Sequence, residues 1–136
     1  MSFLLEKSKQ NELAVTFLKD KQVNAAIAHC GYYSCFQKLV FVLKEHFISE
    51  YEAIQTLLAQ RRKGSEHDQC IDEFIRQYAK LTDKREAHHL GNKIKDLKAF
   101  RIEADYSDME VNDRKVEQVE TNMNEFHRLV KRNFKI

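Results

Sequence analysis

Arg101 is the residue whose setting most demands an explanation in terms of chemistry. It falls on the series Leu90, Ile94, Leu97, Arg101 and Ala104, whose steps of four, three, four and three place all five on one helical face. A guanidinium is charged at any ordinary pH, so on a core-facing stripe it needs a carboxylate, a phosphate or several acceptors beside it. Asp105, one turn later, can supply an internal ion pair that pins the helix. Alternatively Asp105 orients Arg101 toward a bound phosphate, with Tyr106 at the helix end beside them. A second constellation precedes it in the chain, where Arg61 and Arg62 stand six and five residues before His67 in the basic loop 60–68. Imidazole moves protons near neutral pH, and arginine holds phosphate or a developing negative charge. His67 is therefore the candidate catalytic acid or base, with Arg61 and Arg62 as candidate nucleotide or RNA contacts. The plainer reading of the same residues is a solvated basic loop.

Other reactive residues point less far. His29, Cys30 and Cys35, with His88 and His89, have the side chains of zinc ligands, but Cys30 and Cys35 diverge on a helix and no Cys-x2-Cys is present. No metal site and no cofactor is expected. Of the adjacent His88 and His89, one at most can face inward. Tyr32 and Tyr33 could stack on a base, although aromatics in a central helix are usually core, and Tyr33 lies nearer the apolar stripe of Ala26 and Cys30. There is no glycine-rich phosphate loop and no serine nucleophile elbow.

The elements that must position these groups are helical. An amphipathic helix is expected over 3–19 and a helix apolar on nearly all sides over 23–47, the latter at the centre of a bundle. Ser49 and Glu52 have capping-box spacing ahead of a short helix carrying Ile54, Leu57 and Leu58. Ser65 caps the next, whose stripe is Ile71, Phe74, Ile75 and Tyr78. Thr82 and Asp83 open the helix of Arg101. After the polar turn 107–112, Val116, Val119, Met123, Phe126, Val130 and Phe134 mark a last amphipathic helix ending in Lys131, Arg132 and Lys135.

Composition agrees with a single domain, 1–136, of all-α class: an up-and-down helical bundle of four to five helices. Proline is absent and glycine occurs 3 times, so the strongest helix breakers are nearly missing. With 43% hydrophobic and 32% charged residues the chain can fill one core and coat it. A formal charge of +2 is too balanced for binding nucleic acid through bulk charge, so any phosphate contact must be local. The 3 cysteines are an odd number, and Met1 to Leu5 runs directly into Glu6 and Lys7 without a signal-peptide pattern, so a reducing cytoplasm is expected. The least charged stretch, 23–42, is broken by His29, Gln37 and Lys38 and reads as a core helix, with no membrane span.

Arg101-Ile-Glu-Ala-Asp-Tyr106 resembles the Arg-x-x-Ala-Asp-Tyr signature near the end of a long helix in one branch of the HEPN (higher eukaryotes and prokaryotes nucleotide-binding) family. The run from Ala25 to Lys38, with Ala28, Gly31-Tyr32-Tyr33 and Phe36, is similar to the branch's second helix, and Gly64-Ser65-Glu66-His67 to the His-bearing loop before its third. The likeness covers about 25–132. It implies a HEPN-like bundle that homodimerises, binds nucleotide or RNA, and works with a nucleotidyltransferase-type protein partner in toxin–antitoxin or defence systems. Ribonuclease members of the family carry Arg-x4-6-His and need no metal. Here no His follows Arg101 at that distance, and the spacing occurs instead from Arg61 and Arg62 to His67. A helical protein-interaction module without catalysis is the alternative from a different functional class.

Overall fold

Three of the expected helix starts carry their caps. Ser65 Oγ accepts from the Asp68 N–H at 3.0 Å, Asp83 Oδ1 from Glu86 at 2.8 Å, and Asn112 Oδ1 from Lys115 at 3.0 Å. Each satisfies a backbone donor that the first helical turn leaves free, an effect of about 1 kcal/mol per cap. The computed structural model describes residues 2–60, 65–108 and 110–136. Among them are α1 (Phe3–Asp20), α2 (Asn24–His46), α3 (Ile48–Ala59), α4 (Glu66–Leu81), α5 (Lys84–Tyr106) and α6 (Asp113–Phe134), and no strand.

The bundle thus has six helices among the described residues where four to five were expected. All six correspond to segments whose spacing reads as helical along the chain, so the count of four to five falls short of that reading; at the α2–α3 junction one residue, Phe47, is enough to turn the chain. Phe47, not Ser49, is the N-cap of α3, and no side chain caps it. The Phe47 carbonyl already accepts from the Tyr51 N–H at 3.0 Å, so the helix has begun before the capping box can act.

As its all-round apolar sequence requires, α2 is central, packing against each of the other five helices. Ile27, Tyr32, Leu39 and Leu43 are fully buried along it. They meet Leu90, Ile94 and Leu97 of α5 and Val119, Phe126 and Val130 of α6 in one core. Each such Leu, Ile or Phe contributes roughly 1.5–3 kcal/mol by leaving water.

Helix α1 lies on α2 with Ser8 and Val15 inward, and the Ser8 hydroxyl donates to the Ser34 carbonyl. Leu13 and Phe17, apolar positions of that helix in the sequence, instead face outward at 71% and 61% exposure. Among the described residues no helix is long and apolar enough to cross a membrane.

Candidate functional site

The Ser65 cap fixes the first turn of α4, and that turn carries His67 and Asp68 toward α2 and α5. His67 lies flat on Phe36, with ring centroids 4.1 Å apart, and its Nδ1 is 2.7 Å from the Tyr32 hydroxyl. Tyr32 is fully buried. Burial pushes its phenol pKa far up, so the hydroxyl keeps its proton, and His67 Nδ1 is the only acceptor it has among the described residues. Tyr32 therefore donates to Nδ1, which leaves the His67 proton on Nε2.

Arg101 reaches the same tyrosine from α5. Its guanidinium carbon is 5.6 Å from the ring centroids of both Tyr32 and Tyr33, a cation–π arrangement on two rings. The side chain is only 15% exposed, as its place on the Leu90–Leu97 stripe demands. Its ion pair with Asp105 is long, 3.4 Å from Nη1 to Oδ2, and Nε is buried with no hydrogen-bond partner. Asp105 also faces His29 Nδ1 at 3.7 Å, so its charge is divided between two neighbours.

The two residues nominated separately, His67 and Arg101, thus come together on Tyr32. Lys98, one turn before Arg101, forms a close ion pair with Asp68 and is largely buried. Burial first, then the charges of Lys98 and Arg101, lower the His67 pKa, so the ring is neutral at pH 7. The Lys98 hydrogen bond holds the Asp68 carboxyl below its ordinary range.

Other expectations fare differently. Tyr106 stands 78% exposed on the last turn of α5, apart from the ring contacts that join Arg101, Tyr32 and His67. Arg61 and Arg62 lie outside the described residues. Tyr32 is the core tyrosine and Tyr33 is half-buried, the reverse of the sequence reading, because α2 turns the Ala28–Tyr32–Cys35 face into the bundle. His88 and His89 both face outward. Among the described residues, no three His, Cys, Asp or Glu side chains gather as a metal site would require.

One polar residue escaped the sequence reading entirely. His127 of α6 is buried, with Nε2 3.1 Å from Ser34 Oγ and a bare, buried Nδ1. The Ser34 hydroxyl donates to the Gly31 carbonyl at 2.9 Å, so Nε2 is the donor in the His127–Ser34 bond. The signal was present, since His127 follows Met123 by four residues and precedes Val130 by three, on the buried face.

The class these features define is an all-helical bundle with an arginine and a neutral histidine held against one buried tyrosine. No protein-family model, curated protein or solved structure matches the chain.

Proposed function

We propose that this chain is a HEPN-like nucleotide- or RNA-binding protein in which Arg101 and His67 take the phosphate. The observation that carries this reading is their joint anchoring on Tyr32, by the 5.6 Å cation–π contact and the 2.7 Å hydrogen bond. Arg101 keeps donors that its 3.4 Å pair with Asp105 does not use, and an incompletely bonded guanidinium is suited to phosphate oxygens. His67, neutral with its proton on Nε2, is a donor to the same anion. In that tautomer Nε2–H can hold a phosphate oxygen as a hydrogen-bond donor, and the ring would have to take up a proton before it could act as a general acid. Arg61, Arg62 and Tyr106 would contact the remainder of the ligand.

On this reading the protein acts as a homodimer in the cytoplasm, with a nucleotidyltransferase-type partner in a toxin–antitoxin or defence system. If it cleaves RNA, it does so without a metal, with His67 as the acid or base. The test is RNA binding and cleavage by wild type and by Arg101→Ala that retains its fold. Loss of binding is expected, and equal behaviour of the two proteins would reject the assignment.

A second reading, a non-catalytic protein-interaction module, is favoured by the outward Phe3, Leu13 and Phe17 of α1, each more than 60% exposed. It requires Arg101→Ala to lose stability while leaving ligand affinity unchanged.

A further inference from the structure

Helix α1 packs mainly on α2 through the face that holds Ser8 and Val15, and its opposite face looks to solvent. Phe3, Gln10, Leu13 and Phe17 share that outward face, and all four are exposed. The surface there is concave over about 580 Å³, lined by Gln10, Leu13, Ala14, Thr16, Phe17 and Asp20. Gln10, Leu13, Ala14 and Phe17 stand at i, i+3, i+4 and i+7, the four positions that form a hole for a knob from a facing helix. Ala14 leaves that hole open because its side chain is a single methyl.

Charges flank the hole at both ends. Glu6, Lys9, Asp20 and Lys21 are exposed, and among the described residues none of Glu6, Lys9 and Asp20 makes an ion pair. The Lys21 ammonium lies 6.0 Å from the Phe17 ring centroid. Two copies of α1 laid antiparallel, with Leu13 of each in the other's hole, bring Glu6 opposite the partner's Lys21 and Lys9 beside the partner's Asp20. A parallel pair would instead set Glu6 on Glu6, Lys9 on Lys9 and Asp20 on Asp20. The apolar centre and its flanking charges are thus complementary to themselves in one direction only. A two-fold pair of identical chains requires that property, and an unrelated partner does not.

We propose that this face of α1 is a homodimer interface, with two copies of the chain packed antiparallel about a two-fold axis between Leu13 and Ala14. The inference rests on the dimer of the proposed function and gives it an interface to which the Arg101 cluster contributes no residue. One helix pair is smaller than a standard interface of about 800 Å² per partner, so the association belongs in the micromolar range.

Sedimentation velocity over about 1–200 μM tests it on wild type, Leu13→Gln/Phe17→Gln, Lys9→Glu, Asp20→Lys, Lys9→Glu/Asp20→Lys and Arg101→Ala. All four α1 positions are exposed, so their substitution spares the fold, which thermal melting checks. Wild type is expected to pass from monomer to dimer across this range. Leu13→Gln/Phe17→Gln should dimerise at least about tenfold more weakly. Lys9→Glu and Asp20→Lys should each weaken the dimer about threefold, and their combination should restore it, because the exchanged charges meet across the two-fold axis. Arg101→Ala should dimerise as wild type does. A wild type that stays monomeric would overturn the proposal and the dimer together and leave the face to a different partner. Dimerisation undiminished in Leu13→Gln/Phe17→Gln, no recovery on combining the charge changes, or a dimer lost in folded Arg101→Ala would each overturn this interface while the dimer itself stands. RNA binding by the same Arg101→Ala protein is scored separately, so failure of the nucleotide reading is told apart from failure of the interface.

Discussion

At the scale of single residues, two histidines show how burial selects the protonation state. His127 has its pKa lowered to about 3, by desolvation first and by the Lys38 charge second. Above pH 6.5 its ring is neutral in both the folded and the unfolded chain and contributes no pH dependence. Below 6.5 the unfolded chain takes up a proton that the folded chain refuses, so stability falls until about pH 3, where the folded ring protonates too. The full loss is on the order of 4 kcal/mol. His127→Gln can still donate to Ser34 but does not titrate. Between pH 6.5 and about pH 4 its unfolding free energy in urea should therefore fall about 3 kcal/mol less than that of wild type. Parallel acid curves would show that His127 is not the group responsible. His67, lowered for similar reasons, adds to the acid sensitivity of both proteins alike.

At the scale of elements, the close approach of helices depends on two glycines inside helices, where glycine is otherwise unfavourable. A Cβ on Gly31 of α2 would lie 2.6 Å from Val119 Cγ1 of α6. Val119 is branched at Cβ and 1% exposed, so it cannot turn away. A Cβ on Gly91 of α5 would meet the end of the half-buried Ile75 side chain at 2.7 Å, and that terminal methyl can rotate. Gly31→Ala is expected to lose about 1–2 kcal/mol, overpacking outweighing the gain of about 1 kcal/mol in helix propensity. Gly91→Ala should stay within about 0.5 kcal/mol of wild type. Urea midpoints of the two variants measure the difference, and equal losses would mean that the α2–α6 approach is not the tighter of the two.

For the whole molecule, α2 is surrounded while α1 packs mainly on α2, leaving Leu13 and Phe17 to solvent. The proposed homodimer is the property that belongs to this scale. Wild type is expected to sediment at twice the 16.1 kDa chain mass, and Arg101→Ala at the chain mass if the Tyr32 cluster lies at the interface. Sedimentation velocity decides this directly: a monomer in both proteins would remove the dimeric site from consideration and favour the interaction module.

Periodicity and caps by themselves determined the helical class, the centrality of α2, the inward face of α5 and the starts of α4, α5 and α6. These are local properties, written in spacing that a single helix can express. The start of α3 was not among them, because at Phe47 the turn precedes the apparent capping box. Tertiary structure alone decided that His67 and Arg101 meet on Tyr32, that Tyr32 and not Tyr33 is the core tyrosine, and that Lys38 and His127 are buried beside a cluster of lysines. Each of those facts depends on which faces of three separate helices point at one another, and spacing along a helix fixes its faces without saying which neighbour each face will meet.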